Sequence, residues 1–210
     1  MTLFRSTLLL FALFSAGSLA NAADFRLMVF GDSLSSGYNL EKNEGWVEDI
    51  ERAAETAGIP LAVFNESIPG ETTAGGLARI PSILEKVKPD LVIVALGAND
   101  GLRGLPVAQM EANLMAIFTA IDSANSHAVH IGIELPRNYG RSYIRAFRAA
   151  QDRVAEQTKL PYLPFLLNPI ALDESLFQSD GHHPTAEAQP ILAAYVASWL
   201  VGVLPELLGQ

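Results

Sequence analysis

Short, uninterrupted runs of apolar residues alternate along the chain with longer segments in which apolar residues recur every three or four positions. The uninterrupted runs predict buried strands at residues 27–30, 61–65, 91–96 and 128–133, with a weaker strand at 160–167, where two prolines interrupt the run. The periodic segments predict helices at 46–57, 107–124 and 142–157, a partly helical stretch at 73–88, and a last helix from about 185 to about 203. Strands that alternate with helices in this way are typical of a parallel sheet buried on both faces.

This order of elements predicts a single three-layer α/β domain, with about five parallel strands between helices on both faces. In open parallel sheets, ligands bind in the crevice beyond the carboxyl ends of the strands. The loops that follow the strands should therefore carry the chemistry, namely residues 31–38, 66–73, 97–105, 134–141 and 176–184.

The N-terminal segment, residues 1–22, has a different pattern. Arg5 precedes an apolar run at 8–14, and small residues follow, ending in Ala-Asn-Ala at 20–22, as in a secretory signal peptide. The apolar run is shorter than the roughly 20 residues that cross a bilayer, which disfavours the alternative of an N-terminal anchor. We predict cleavage after Ala22, a periplasmic or secreted location, and no stable membrane anchor on the remaining domain, residues 23–210.

The chain is acidic, with a formal net charge of −9, and it contains no cysteine. Loss of Arg5 with the leader, which has no acidic residue, changes this charge to −10. Without cysteine, the chain has neither disulfides nor a thiolate nucleophile. An acidic chain without basic clusters is unsuited to nucleic acid. The expected partner is a small molecule, and we expect a monomer that needs no metal ion or organic cofactor.

The first post-strand loop, GDSLSSG, has three interpretations, and it contains Ser33, Ser35 and Ser36. It could be a solvated turn. It could hold a phosphate on its backbone N–H groups, as in a flavodoxin-like module that binds flavin mononucleotide. It could also present a serine nucleophile, which requires a nearby base, most often histidine.

The last post-strand loop, QSDGHHPT, supplies such a base and places Asp180 three residues before His183. An aspartate at this spacing can accept from Nδ1 of the imidazole, which leaves Nε2 for the serine. His182 is the competing base, and its spacing of two residues from Asp180 disfavours it. A metal site formed by the same three residues is disfavoured because adjacent histidines rarely converge on one ion. His127 and His130 flank the fourth strand, and we expect them to be a surface and a packing histidine.

The two middle loops contain hydrogen-bond donors for an oxyanion, which acyl transfer requires. Gly70 allows close approach to its backbone N–H, and Asn99 carries a side-chain amide. The N–H of Ser33 would be a third donor. Each residue alone is explained as well by a turn or a cap, but candidates on four separate post-strand loops favour a common site.

The motifs FGDSLSSGY, NESIPGETT, LGANDGLRG and DGHHP resemble, in this order, the four sequence blocks of the SGNH hydrolases, also called GDSL esterases. The segments GLARIP, NYGR and LPFLL further resemble the secreted bacterial branch of arylesterases, thioesterase I and lysophospholipase-type enzymes. The chain departs from that branch at Ala98, where a second glycine is common, and at His182, where an apolar residue is common.

The resemblance implies a flavodoxin-like SGNH hydrolase fold with Ser33 as the nucleophile, His183 as the general base and Asp180 as the residue that orients it. It also implies an oxyanion hole formed by the N–H groups of Ser33 and Gly70 and the side chain of Asn99. The expected reaction is hydrolysis of carboxylic esters, and of acyl thioesters or lysophospholipids, through an acyl-enzyme. A carbohydrate O-deacetylase and an acyltransferase are alternatives that use the same residues.

The acyl chain is expected to lie along apolar residues of the post-strand loops, although ordinary packing explains them equally well. These residues are Leu34, Leu102, Leu105, Pro136 and Tyr139. The loop at 101–106 is expected to be mobile, because Gly101 and Gly104 bracket it. Ser35 and Ser36 are expected to lie at the entry to a helix, with their hydroxyls free to accept from first-turn N–H groups.

Overall fold

The computed structural model of the chain describes residues 25–208, so the predicted signal peptide and its cleavage site lie outside the described residues. The strands are β1 (Phe25–Gly31), β2 (Leu61–Asn65), β3 (Leu91–Ala95), β4 (His127–Ile131) and β5 (Tyr162–Leu163). The α-helices are α1 (Trp46–Thr56), α2 (Thr73–Val87), α3 (Ala98–Leu102), α4 (Val107–Ser123), α5 (Arg141–Thr158) and α6 (Gln189–Leu207). Short 3-10 helices lie at Arg137–Tyr139, Glu174–Leu176 and Ala186–Ala188.

The five strands form one sheet with the order β2-β1-β3-β4-β5, and all four strand pairs are parallel. β1 therefore lies between β2 and β3, in a register that places Leu27 opposite both Val63 and Leu91. The carboxyl ends of all five strands meet at one edge of the sheet. The predicted α/β fold with a parallel five-stranded sheet is confirmed.

Both faces of the sheet are buried, because successive strand residues point to opposite sides. On one face Leu27 and Val29 of β1 pack in a core with α1 and α6. On the other face Met28 and Phe30 pack in a second core with α2, α4 and α5. Two apolar cores on either side of one sheet explain why the strands read as continuous apolar runs rather than as alternating ones.

Helix α6 and the preceding 3-10 turn, Ala186–Leu207, are apolar and long enough to cross a membrane by length and composition. The helix has one buried stripe, formed by Leu192, Val196, Leu200 and Leu204, and this stripe belongs to the core shared with α1. Its first residue also accepts a hydrogen bond from the N–H of Trp46, at the start of α1 (3.1 Å). Packing in the core of the domain thus accounts for the buried apolar stripe of α6.

The expectation that Ser35 and Ser36 begin a helix is wrong. Residues 33–39 form consecutive turns, and the first helix begins only at Trp46. The N–H groups of both serines donate to the carbonyl of Asp32, at 3.1 and 3.0 Å. The turn then cannot continue as a helix, because Gly37 and Asn39 have φ values of 70° and 56°, in the left-handed region.

Candidate active site

Ser33 lies on the turn that follows β1, at the carboxyl edge of the sheet. Because the Asp32 carbonyl accepts from the N–H groups of Ser35 and Ser36, the turn is closed without using the N–H of Ser33. Among the hydrogen bonds of residues 25–208, none has the Ser33 N–H as its donor. This N–H therefore remains available to a bound molecule.

His183 is held by a hairpin-like loop before α6. Phe177 and Pro184 form an antiparallel bridge, and the N–H of Gln178 donates to the carbonyl of His183 (2.7 Å). The loop reverses at Gly181, whose φ of 70° suits a residue without a side chain. These backbone bonds fix the position of the histidine within the loop.

Ser33, His183 and Asp180 form a continuous hydrogen-bonded chain. Nε2 of His183 lies 2.8 Å from Oγ of Ser33, and Nδ1 lies 2.7 Å from Oδ2 of Asp180. The structure thus places His183, and not His182, between the aspartate and the serine. Tautomers are assigned by these contacts: an aspartate that accepts from Nδ1 leaves Nε2 as the acceptor for the serine hydroxyl.

The Asp180 carboxylate is stabilised in its ionised form. Desolvation by itself would raise its pKa, but the hydrogen bonds that it accepts outweigh this effect and lower the pKa to about 2. Its Oδ1 accepts from the backbone N–H groups of His182 (2.9 Å) and His183 (3.0 Å), and its Oδ2 accepts from the His183 ring. The carboxylate is therefore ionised at neutral pH, where it can orient an imidazole and stabilise an imidazolium.

Gly70 lies in a turn that passes close to the end of β1. Upstream in this turn, the N–H of Ile68 donates to the carbonyl of Gly31 (3.1 Å). Gly70 follows Pro69 and has a φ of 77°, as the third residue of a type II turn requires. The Arg103 guanidinium donates to the Gly70 carbonyl (2.7 Å), while the Gly70 N–H has no acceptor among the described residues.

Asn99 lies in the short helix α3, just beyond β3, and its side chain reaches the turn that carries Ser33. Its Nδ2 donates to Oδ2 of Asp32 (3.3 Å), whose Oδ1 accepts from the N–H of Leu34 (3.0 Å). Asp32 is almost completely buried, and this burial raises its pKa to about 6. The buried carboxylate directly precedes Ser33 and contacts the amide predicted to bind the oxyanion.

A buried polar network links the Gly70 and Asn99 loops. Asp100 accepts from the N–H (2.8 Å) and the hydroxyl (2.6 Å) of Thr73, the first residue of α2. The Thr73 hydroxyl in turn accepts from Nδ2 of Asn113 in α4 (3.0 Å). Because Thr73 lies three residues after Gly70 and Asp100 follows Asn99, this network fixes the two loops relative to each other.

The residues predicted to bind the acyl chain lie in different environments. Leu34 lines a small cavity beside Asp32, together with Ala95, Ile133 and Leu166. Leu105 is exposed, whereas Leu102 packs against the core that contains α4, and Pro136 is partly buried. The hydroxyl of Tyr139 donates to the Leu102 carbonyl (3.0 Å), so this side chain holds the loop after α3.

Two exposed apolar side chains on the post-strand loops were not predicted from the sequence. Tyr38 and Ile68, with Leu105, are three of the four exposed large apolar side chains among the described residues, and they lie on the loops that carry Ser33, Gly70 and Asn99. Tyr38 also contacts the catalytic candidate itself, since its ring centroid lies 4.6 Å from that of His183. The only available signal was the position of Tyr38 within the first motif, five residues after Ser33.

A parallel α/β sheet with a Ser–His–Asp chain at its carboxyl edge defines a serine hydrolase in which the nucleophile follows the first strand. The comparison with known families agrees, because residues 29–190 match the GDSL-like Lipase/Acylhydrolase family. The chain belongs to this family, and its enzyme class is carboxylic ester hydrolase.

Curated relatives with named activities cover most of the chain. An arylesterase from Vibrio mimicus is 39% identical over 194 residues, which are 92% of this chain and 97% of the relative. A protein from Escherichia coli K12 named thioesterase 1/protease 1/lysophospholipase L1 is 39% identical over 181 residues, which are 86% of this chain and 85% of the relative.

A solved structure shares the same architecture. The crystal structure of the psychrotrophic esterase EstA from Pseudoalteromonas sp., inhibited by monoethylphosphonate, superposes with a TM-score of 0.81 at 33% sequence identity. The match covers 89% of this chain and all of that chain (100%).

Proposed function

We propose that the protein hydrolyses carboxylic esters through an acyl-enzyme on Ser33, with His183 as general base and acid and Asp180 as its orienting partner. The observation that carries the proposal is the hydrogen-bonded chain from Ser33 through His183 to Asp180, with contacts of 2.8 and 2.7 Å. A serine hydroxyl is a weak nucleophile until a base accepts its proton, and the histidine is positioned to do so.

The reaction proceeds in two steps. The Ser33 oxygen attacks the carbonyl carbon while its proton passes to Nε2 of His183, and the resulting oxyanion accepts from the N–H groups of Ser33 and Gly70 and from the Asn99 amide. The bond to the leaving oxygen or sulfur then breaks, and that atom takes the proton from Nε2. Water, deprotonated by His183, attacks the acyl-enzyme in the same way and releases the carboxylic acid with Ser33 regenerated.

The substrate class follows from the family and from the apolar loops. Aryl esters, acyl thioesters and lysophospholipids are proposed as substrates because relatives at 39% identity carry the names arylesterase and thioesterase 1/lysophospholipase L1. The acyl chain is assigned to the apolar side that includes Leu34, Leu102, Leu105, Pro136 and Tyr139. A series of p-nitrophenyl esters of increasing acyl length, compared with acyl-CoA and a lysophospholipid, measures this preference.

Replacement of the nucleophile tests the proposal. Ser33→Ala should abolish turnover of p-nitrophenyl butyrate without changing the thermal melting curve, because Ser33 is partly exposed and, among the described residues, its hydroxyl bonds only to the His183 ring, which is itself partly exposed. Ser198→Ala, an exposed serine of α6, is the matched control and should keep full activity. Turnover by Ser33→Ala at the rate of the unaltered enzyme would overturn the assignment.

Covalent labelling provides a second test of the same residue. A p-nitrophenyl alkylphosphonate should release p-nitrophenol once and leave a phosphonyl group on the Ser33 oxygen, as attack on phosphorus mimics attack on the ester carbonyl. Peptide mass spectrometry should locate the adduct on the peptide that contains Ser33. An adduct on another residue would contradict the proposed nucleophile.

We also propose that the enzyme is exported, on the basis of the signal-peptide pattern at residues 1–22. N-terminal sequencing of the protein purified from the periplasm or the medium should begin at Ala23. Recovery of exported protein that still begins at Met1 would contradict the predicted cleavage.

A further inference from the structure

Tyr38 lies against the histidine of the proposed active site, although no step of the mechanism uses it. Its ring centroid is 4.6 Å from that of His183, with the two planes inclined by 42°. The side chain is 39% exposed, so the ring contacts the imidazole and is also open to solvent. Such a position allows contact with both the histidine and a bound substrate.

The Gln178 side chain holds the backbone of Tyr38 next to the loop of His183. Nε2 of Gln178 donates to the Tyr38 carbonyl (3.0 Å) and to the Pro184 carbonyl (2.9 Å). It thereby joins the turn that carries Ser33 to the loop of His183. The hydroxyl of Tyr38 has no hydrogen-bond partner within residues 25–208. The aromatic ring, and not the hydroxyl, is therefore the part of Tyr38 that makes the contact.

The second half of acylation indicates which part of a substrate would contact the Tyr38 ring. Nε2 of His183 must give its proton to the leaving atom, so the leaving group lies within hydrogen-bond reach of the imidazole. The oxyanion lies on the side of Gly70 and Asn99, and the small apolar cavity lined by Leu34 lies beside Asp32. The surface that adjoins the imidazole ring is thus the surface next to the leaving group.

We infer that Tyr38 positions the His183 imidazole and forms a subsite for flat, apolar leaving groups such as phenols. The inference rests on the proposed function. Contact between the Tyr38 ring and the imidazole restricts rotation of the imidazole and keeps Nε2 directed at Ser33. The exposed part of the Tyr38 ring offers an aryl leaving group an aromatic surface, and aromatic pairs in proteins are favourable beyond their buried area.

The test compares two esters that share an acyl group, phenyl butyrate and ethyl butyrate, by their kcat/KM, which reports the steps up to acylation. Tyr38→Ala should lower kcat/KM about tenfold for the phenyl ester and about threefold for the ethyl ester, because only the first loses both the positioning and the leaving-group contact. Tyr38→Phe should restore both values to within about twofold, since the ring is retained. Leu172→Ala, which removes a fully exposed side chain between β5 and the 3-10 helix Glu174–Leu176, is the control and should change neither value.

Circular dichroism shows whether the variants fold. If Tyr38→Ala does not fold, Tyr38→Leu, which keeps apolar bulk without a flat ring, takes its place. An equal loss on both esters would overturn the leaving-group subsite, and a Phe variant as impaired as the Ala variant would overturn the role of the ring. An unaltered enzyme that hydrolyses neither ester would instead overturn the proposed function.

Discussion

At the scale of single residues, the orientation of the proposed oxyanion donor Asn99 depends on its contact with Asp32. An amide group can rotate so that oxygen and nitrogen exchange places, and only a partner that accepts but cannot donate fixes the nitrogen. Burial raises the pKa of Asp32 to about 6, so above this pH the carboxylate is ionised and accepts from Nδ2 of Asn99 at 3.3 Å. We therefore expect Asp32 to act through Asn99.

A double-mutant cycle at pH 8 tests this coupling. Asn99→Ala should lower kcat about 100-fold with little change in KM, as loss of one oxyanion donor does. Asp32→Asn should lower kcat about 10-fold to 100-fold, because its own amide can donate to Asn99 and turn the Asn99 nitrogen away. The double variant should be no slower than Asn99→Ala, since residues that act as a unit are not additive.

Asp122→Asn, at an exposed position near the end of α4, is the control for the loss of one carboxylate and should leave kcat unchanged. Multiplicative effects in the double variant would mean that Asp32 acts independently of Asn99.

The sequence motifs were sufficient to predict the five residues that the proposal uses, but not the contacts that support them. Asp32 and Asn99 are 67 residues apart, and they meet because β1 lies next to β3. Apolar runs predict that strands exist and are parallel, whereas their order in the sheet depends on crossovers that no local pattern specifies. Tyr38 was missed for the same reason, because its partner His183 comes from the far end of the chain.

At the scale of secondary structure, the predicted strands and helices were correct in kind, and most errors concern their ends and interruptions, although the short helix α3 lies in a stretch predicted as a loop. The weak fifth strand predicted at 160–167 consists of only Tyr162–Leu163, because the flanking prolines have no N–H to donate to the sheet. Helix α2 is continuous over Thr73–Val87, although two glycines and Pro81 suggested a partial helix. Packing against the core outweighs the intrinsic preferences of these residues.

At position 76 in α2, close packing against the core explains the presence of glycine. A Cβ at this position would lie 2.6 Å from Cδ1 of Leu96 and 3.2 Å from Cε1 of Phe30, and both side chains are buried in the core. Gly76→Ala should therefore destabilise the protein by about 1–2 kcal/mol, as overpacking exceeds the gain in helix propensity. Urea denaturation measures this change in the free energy of unfolding.

Gly202 in α6 is the matched control, because it is also helical but a Cβ there meets nothing within 4 Å. Gly202→Ala should stabilise the protein by about 0.5–1 kcal/mol through helix propensity alone. Stabilisation by both substitutions would mean that the α2–sheet interface accommodates a methyl group and that close approach is not the reason for Gly76.

At the scale of the whole molecule, the stability of the domain depends on pH through buried groups in different parts of the fold. His130 of β4 is fully buried between Phe118 and Tyr162, with ring centroids at 5.5 and 4.9 Å, and neither ring nitrogen has a hydrogen-bond partner among the described residues. Burial lowers the pKa of His130 to about 3. The sequence predicted a packing histidine at this position. The size of its pKa shift could not be predicted, because it depends on a complete apolar enclosure that only the assembled core provides.

His130 and Asp32 shift stability in opposite directions. Between about pH 6.5 and 3 the unfolded chain binds a proton at His130 that the folded chain does not, so this group makes the folded state less stable as the pH falls. Between pH 3.8 and about pH 6, the folded chain instead binds the extra proton, at Asp32, so this group makes the folded state less stable as the pH rises. Each group changes the unfolding free energy by up to about 1.4 kcal/mol per pH unit. In the pH range that the two groups share, their effects oppose each other.

His130→Leu should separate these contributions. From pH 6 to pH 4.5 the difference in unfolding free energy, His130→Leu minus the unaltered protein, should increase by about 2 kcal/mol, because only the unaltered protein must exclude a proton from position 130. Above pH 7 the two profiles should run parallel, since His130 is then neutral in both the folded and the unfolded state. Urea denaturation at pH 4.5, 6 and 7.5 measures the three values, and His127→Leu, at the exposed end of the same strand, is the control that should leave the profile unchanged. Parallel profiles of His130→Leu and the unaltered protein over the whole range would mean that the core admits a protonated imidazole, and that the acid sensitivity of the domain has its origin in other residues.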